Sequence, residues 1–331
     1  MLKTKITLQN IANEANVSLT AASLYLNGKA RENRVSKATC EKIEKVIKKY
    51  NYSPNIHARA MASKKTYLIG VIIPESVGAS FWVDILGGIE KVITKEQYHM
   101  LLSVSNYDTS KEIELFEFMK KKGVDGFIFA PIRKANGSYN GDYTRKLSKE
   151  IPLVSITYPV KGIPGVYTDD AKGGQIAAKK FYEAGHKNIA YLGVHSRETD
   201  LRGIAFIEAA RSLGIRVSEY VDVDKLLDDY KLFTGAFCFS DSRVMIMYRE
   251  AAKRGILIPD DLSVIGYDNM FYSEFFVPRL TTIHQNKKEL GVEAADKLMR
   301  LLRGEKKEDV GSTVFNPKLI EGESVLSINK S

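Results

Sequence analysis

The chain has 331 residues, 44% hydrophobic and 27% charged. That is enough to bury a sizeable core, and it sets aside the disordered and fibrous classes. Two cysteines rule out a disulfide-stapled scaffold, and the lack of an apolar run of about 20 residues argues against a membrane-spanning helix. The whole net charge of +9 sits in the first 65 residues, where 13 Lys and Arg face 4 Glu and no Asp. A basic head on a neutral body points to a module that meets a polyanion. A merely solvated, Lys-rich surface would show the same charge, so the pattern inside the head has to decide.

In the head, Thr7 is placed to cap a helix whose apolar residues Leu8, Ile11, Ala12 and Ala15 fall on one face. Asn16 stands at the turn, where a left-handed backbone is best tolerated by Gly or Asn. Ser18 then caps a second helix, Leu19 to Leu26, and Asn27-Gly28 ends it. Two short helices joined by a tight turn make a helix–turn–helix, whose second helix enters the major groove by its N-terminal end. Here that end is Ser18, Leu19 and Thr20. A third helix runs from Val35-Ser36 to Tyr50, with Ile43, Val46, Ile47 and Tyr50 as its apolar stripe. After Pro54 comes an Ala-rich stretch of about eight residues, shorter than the ~12–15 an isolated helix needs in water. It reads either as a helix that forms only against a partner or as an ordinary linker.

The body alternates strands and helices. Tyr67–Pro74 is a continuous apolar run suited to a strand buried on both faces. Helix Phe81–Gln97, strand His99–Ser105, helix Lys111–Lys122, strand Gly126–Ala130, a helix near Tyr143–Lys149 and strand Pro152–Thr157 follow. The second series is helix Gly173–Ala184, strand Asn188–Gly193, helix Arg202–Leu213, and strands Tyr220–Val223 and Gly235–Phe239. Helix Arg243–Arg254, strand Ser263–Tyr267, helix Lys287–Leu302 and an extended Ser312–Ser327 complete it. Repeated β–α units imply parallel sheets flanked by helices, and a body of this size implies two subdomains. Ligands of open α/β sheets sit beyond the carboxyl ends of strands. That rule nominates Phe81 and Trp82, the loop reaching Arg202, Ser240 with Asp241, and Asp268. The plainer alternatives are core packing for Phe81 and Trp82, a surface position for Arg202 and a cap for Asp268.

The ordered motifs Ile6-Thr7-Leu8…Ala15-Asn16-Val17-Ser18…Leu26-Asn27, Tyr50-Asn51-Tyr52-Ser53-Pro54-Asn55, Gly185-His186-Lys187, Val264-Ile265-Gly266-Tyr267-Asp268 and Leu280-Thr281-Thr282-Ile283-His284-Gln285 run through nearly the full length. Together they resemble the LacI/GalR family of transcription regulators. The resemblance implies an α/β protein: an all-α helix–turn–helix head (1–53), a hinge helix and linker (54–65), and a two-lobed core (66–331) with parallel sheets, like periplasmic binding proteins. By that analogy lobe 1 is 66–159 plus 285–320, and lobe 2 is 160–284 plus 321–331.

The resemblance also assigns roles. Leu19 and Thr20 read base edges, while Ser18, Asn27 and Asn55 position the head on the DNA backbone. Thr7, Ser23, His57 and Ala58 join the DNA interface, and Met61 is the wedge at the central base step. Phe81 and Trp82 stack on an effector, Arg202 grips its hydroxyls or a carboxylate, and Ser240, Asp241 and Asp268 complete that site. The implied partners are double-stranded operator DNA, a second copy of the chain, and a small effector, a sugar or sugar phosphate. No membrane, cofactor or metal is expected, and a cytoplasmic homodimeric repressor is. The chain departs from the family pattern at Leu24, where many relatives carry Arg, and at Phe239-Ser240-Asp241, where Ala-Asn-Asp is usual. Asp169-Asp170 stands for Asp-Asn, and the crossover before Gly235 is short. These changes suggest a smaller or altered ligand, or a site partly filled by protein side chains.

An enzyme is disfavoured because no Gly-x-Ser-x-Gly, phosphate-binding loop or His-Glu-x-x-His occurs. A secreted solute-binding protein has no use for the basic head, and no apolar signal stretch precedes it. A DNA-binding protein that has lost its ligand is the third alternative. Cys40 and Cys238 read as buried, reduced thiols. The lack of a heptad tail makes a tetramer less expected than a dimer.

Overall fold

The computed structural model describes residues 6–26, 28, 30–50, 52, 65–75, 81–132, 139–194 and 200–328. Contacts divide the chain into two units, Met1–Thr66 and Tyr67–Ser331.

The first unit holds α1 (Leu8–Glu14), α2 (Leu19–Leu26) and α3 (Lys37–Tyr50). Thr7 and Asn10 form a reciprocal capping box, satisfying amides that the first helical turn leaves unpaired. Asn16 takes φ 51° and Gly28 φ 70°, the left-handed residues that turn the chain after α1 and α2. The Ser18 and Ser36 hydroxyls accept from the Ala21 and Thr39 amides at 3.1 Å, capping α2 and α3. Ile11, Ala15, Ile43 and Val46 form the core, with Val17, Tyr25 and Ile47 packed against it. Lys49 pairs with Glu14 at 2.5 Å across α3 and α1, an exposed pair that contributes little stability. Cys40 is half-buried rather than buried, because it sits early on α3 beside this thin core; Cys238 is buried, and both are free thiols.

The second unit contains two six-stranded sheets. Its strands are β1 (Leu68–Ile73), β2 (His99–Val104), β3 (Gly126–Phe129), β4 (Leu153–Ile156), β5 (Gly165–Thr168), β6 (Asn188–Leu192), β7 (Arg216–Tyr220), β8 (Gly235–Cys238), β9 (Ser263–Asp268), β10 (Thr281–His284), β11 (Thr313–Phe315) and β12 (Lys318–Ile320). The first sheet runs β11-β5-β4-β3-β1-β2 and the second β12-β10-β9-β8-β6-β7. All pairings are parallel except β10 with β12. The helices are α4 (Phe81–Lys95), α5 (Thr109–Lys121), α6 (Gly141–Leu147), α7 (Asp170–Glu183), α8 (Leu201–Ser212), α9 (Val223–Asp228), α10 (Asp241–Lys253), α11 (Lys287–Leu302) and α12 (Lys307–Val310). Helices on both faces explain why the central strands are apolar throughout: β1 and β8 are buried almost end to end.

Each lobe closes one helix pair by backbone contact. A Cβ on Gly291 of α11 would lie 2.0 Å from the Ile85 carbonyl of α4, and one on Gly174 of α7 would lie 2.1 Å from the Arg202 carbonyl of α8. Only glycine permits that approach.

Three sequence expectations need correction. The first crossing between lobes comes after β5, not at residue 160, because Gly165–Thr168 pairs with β4 in the first sheet. The last crossing falls between β11 and β12, so Lys318–Ile320 belongs to the second sheet rather than to lobe 1. The strand expected at Tyr220–Val223 is β7, Arg216–Tyr220, and Val223 instead opens α9, capped by the Asp222 carboxylate. Asp224 and Asp228 of that helix both pair with Arg254 at 2.6 Å.

Candidate functional site

Within the head, Ser18, Leu19 and Thr20 are exposed at the N-terminal end of α2, and Leu19 leaves 45% of its surface open. An exposed leucine at a helix start has no role in the head's own core. Ser23 is half-buried on α2, and Thr7 is exposed but occupied by its cap. Asn27, Asn55, His57, Ala58 and Met61, with all of the expected hinge helix except Lys65, lie outside the described residues.

In the second unit, a cavity of about 720 Å³ opens between the two lobes, at the carboxyl ends of their strands. Phe81, Trp82, Arg202, Ser240 and Asp268 all line it, so five of the six expected effector residues are brought together. Phe81 and Trp82 open α4 and meet edge to face, with centroids 5.3 Å apart. Trp82 is 3% exposed and packs into the lobe 1 core, so its core and lining roles coexist. Its indole N–H donates to Glu75 Oε1 at 3.2 Å. Ser240 reaches Ser242, hydroxyl to hydroxyl, at 2.7 Å.

Asp241 is the exception. It is fully buried and does not line the cavity. Its Oδ2 accepts from the Met270 amide (2.9 Å) and the Ser273 hydroxyl (2.6 Å), and its Oδ1 from the Thr282 hydroxyl (2.7 Å). Ser240 is the extended residue before α10 and lines the cleft, whereas Asp241 is the first residue of that helix and turns into the interior. Asp241 instead ties the turn after β9 to β10. Gly266 makes room for it, since a Cβ there would lie 2.1 Å from Asp241 Oδ1.

That turn presents Asp268, whose backbone takes φ 104°, followed by Asn269 at φ 48°. A left-handed pair without glycine is strained and needs support. Besides Asp241, support comes from Lys287, whose ammonium donates to the Asp268 and Asn269 carbonyls at 2.5 and 2.9 Å. Gln285 donates to Asp268 Oδ1 at 2.7 Å. Burial pushes the Asp268 carboxyl up to about 7 against the opposing pull of Arg202.

Arg202 is 7% exposed and heavily engaged. Its Nη1 donates to the Phe239 carbonyl at 2.6 Å and its Nη2 to Asp170 Oδ1 at 3.0 Å. Asp268 Oδ1 is 3.8 Å from Nη1. The guanidinium lies 3.7 Å from the Tyr267 ring centroid and 4.4 Å from that of Phe239. The Tyr267 hydroxyl completes the cluster, donating to the same Asp170 oxygen at 2.7 Å. Gly174 lets the first turn of α8 rest on α7, and a Cβ on the neighbouring Gly173 would collide with the Tyr267 hydroxyl at 2.4 Å. The consecutive glycines thus create the space in which Arg202, Tyr267 and Asp170 meet. Arg202 therefore faces the cleft already paired, not as a free grip.

Asp170, Tyr267, Glu75 and Gln285 were not among the expected site residues. Asp170 had a signal in the sequence, as an acid directly after the helix cap Asp169. Among the described residues, no group of three or more His, Cys, Asp or Glu side chains gathers where it could hold a metal ion.

Two parallel α/β lobes closing on such a cavity, preceded in the chain by a helix–turn–helix, define the class of ligand-binding transcription regulators. Comparison agrees along the chain: residues 7–55 match bacterial regulatory proteins of the lacI family, and 66–232 match the periplasmic binding proteins and sugar binding domain of the LacI family. Residues 178–325 match a periplasmic binding protein-like domain. The HTH-type transcriptional regulator DegA of Bacillus subtilis (strain 168) is 32% identical over 98% of this chain and 99% of its own. The chain belongs to the LacI family of transcription regulators, which are not enzymes. A LacI family regulator from Enterococcus faecium with bound ribose is 26% identical with a TM-score of 0.68, covering 79% of this chain and 99% of that one. The lac repressor dimer bound to operator and the anti-inducer ONPF shares the fold at a TM-score of 0.84 and 21% identity, over 98% of this chain and all of that one.

Proposed function

We propose that the protein is a cytoplasmic homodimeric repressor that reads a near-palindromic operator through Leu19 and Thr20 and releases or tightens it when a sugar fills the interlobe cavity. The observation that carries this reading is the pairing of exposures: an apolar residue left open at the start of α2, and a cavity that gathers Phe81, Trp82, Arg202, Ser240 and Asp268 from both lobes. Leu19 suits contact with a thymine methyl, and Thr20 can donate, accept or touch a methyl. The cavity offers aromatic faces for a sugar's apolar side and fixed polar groups for its hydroxyls. The Enterococcus faecium relative carries ribose, which supports a sugar here.

The dimer is supported by lobe 2, where Phe271, Phe275 and Val277 are exposed along one short segment, Val277 at 91%. Large apolar side chains grouped in this way mark an interaction surface. In the proposed switch, closure of the lobes alters the order of segment 54–65 and so the operator affinity.

The test is selection of bound duplexes from a randomised library by the full chain, followed by anisotropy titration of the enriched duplex. A near-palindromic motif is expected, and Leu19→Ala with Thr20→Ala should erase the preference while leaving salt-sensitive, non-specific binding. Enrichment of no motif, or of the same motif by the double variant, refutes the reading.

A further inference from the structure

The charge state of the cavity singles out Asp170. An arginine that recognises a phosphate or carboxylate does so by offering two parallel N–H groups. Arg202 is already partly spent and its charge is balanced by a carboxylate. Each terminal nitrogen already donates, one to the Phe239 carbonyl and the other to Asp170, and the guanidinium lies 3.7 and 4.4 Å from the Tyr267 and Phe239 ring centroids. Among the described residues its Nε is buried without a partner. Asp170 is itself fixed, its Oδ1 receiving both Arg202 and the Tyr267 hydroxyl. The cavity wall further includes Glu75 and Asp268 beside Arg202 and Arg243. An incoming anion would thus meet carboxylates next to a guanidinium that is already neutralised.

We propose that Asp170 is a specificity-determining residue: by pairing with Arg202 it makes the cavity a receptor for uncharged, hydroxyl-bearing ligands and excludes their phosphorylated and carboxylated forms. This rests on the reading of the cavity as the effector site. A neutral sugar needs only single hydrogen bonds, which Asp170, Ser240, Asp268 and Gln285 on the wall can supply or accept. A phosphorylated sugar needs a cationic partner, and the Asp170 pairing neutralises Arg202, leaving Arg243 as the other cation among the described residues of the wall. Asparagine at this position keeps the side-chain oxygen that Arg202 and Tyr267 use but drops the charge, so one substitution separates shape from electrostatics.

The test uses the full chain and two sets of probes. In the first, inorganic phosphate is titrated calorimetrically into wild type, Asp170→Asn and the double variant Asp170→Asn/Arg202→Gln. Wild type is expected to match the double variant, whose residual heat reports phosphate held elsewhere, and Asp170→Asn is expected to gain a site at least about tenfold tighter. In the second, matched pairs (ribose with ribose 5-phosphate, glucose with glucose 6-phosphate and with glucuronate) are followed by the fluorescence of Trp82, the only tryptophan in the chain. Any response of wild type should come from the neutral member, and Asp170→Asn should narrow the preference by about tenfold or more.

Tighter binding of a phosphorylated sugar by wild type, or no gained phosphate site in Asp170→Asn, overturns the proposal. A panel in which no sugar moves Trp82 counts against the cavity as an effector site, while the phosphate arm still decides the role of Asp170.

Discussion

Lys287 opens a helix of the first lobe, yet its ammonium is held by the main-chain carbonyls of Asp268 and Asn269 at the end of a strand of the second. The side chain is 4% exposed, and burial lowers its pKa. It is a tether between the lobes, set directly beneath the turn that presents Asp268 to the cavity. Lys287→Met keeps the volume and removes the donors, leaving the two carbonyls without it. A loss of about 1–3 kcal/mol is expected, which at roughly 2–4 °C per kcal/mol lowers the melting temperature of the core by several degrees. An unchanged melting temperature by scanning calorimetry would remove the tether from the account.

The Asp268 carboxyl gives a pH dependence with a definite sign. Its folded value is raised to about 7, whereas an unfolded aspartate titrates near ~3.9. The folded state therefore holds the extra proton between those values. The stability this contributes is present below about pH 4 and lost as pH rises to about 7. Asp268→Asn does not titrate, so its melting temperature relative to wild type should climb between pH 5 and pH 8, by the equivalent of about 3 kcal/mol at most. Taking the difference between variants cancels the buried His186 and His284, whose lowered pKa values act in the opposite direction. A difference that stays flat over that range would show that Asp268 is ionised throughout.

The neighbouring residues Ser240 and Asp241 at the start of α10 should behave unlike one another. Asp241→Ala strips the partner from the Met270 amide and the Ser273 and Thr282 hydroxyls and is expected to cost about 3 kcal/mol or more. Gly266→Ala presses a methyl onto the same carboxylate, at about 1–3 kcal/mol. Ser240→Ala should change stability by under about 1 kcal/mol and show its effect in sugar affinity instead. Denaturant midpoints for the three variants check the order, and Asp241→Ala proving as mild as Ser240→Ala would contradict it.

The contrast between Ser240 and Asp241 also shows what the sequence makes legible. The strand-end rule located both residues, but which of them turns into the cleft depends on where α10 begins and on Gly266, and only the folded chain displays that. The caps Thr7 and Ser18 and the left-handed Asn16 were readable because they act over three or four residues. β7 was misplaced because Arg-Val-Ser-Glu-Tyr is a polar edge strand without an apolar run. β5 was missed because four residues carry too little periodicity. The Arg202–Asp170–Tyr267 cluster joins side chains 32 and 97 positions apart. Its local signs were the acid after Asp169 and Gly173-Gly174, whose purpose emerges when α8 and β9 pack onto α7.

The apolar segment of lobe 2 should govern assembly. Phe275→Asp with Val277→Asp places charges on side chains that are largely exposed in the single chain, so folding should be unaffected. Sedimentation velocity at micromolar concentration should show wild type as a dimer and the double variant as a monomer. A variant that remains dimeric would move the interface elsewhere.

The central claim is that occupancy of the cavity controls DNA binding by the head. It is met most directly by recording Trp82 fluorescence and the anisotropy of the selected operator duplex in one sample while sugars are titrated. The account expects a sugar that saturates the Trp82 signal to change operator affinity about 5–150-fold, the usual span of allosteric coupling, with the same midpoint for both signals. A sugar that saturates Trp82 and leaves the operator affinity unchanged would contradict it.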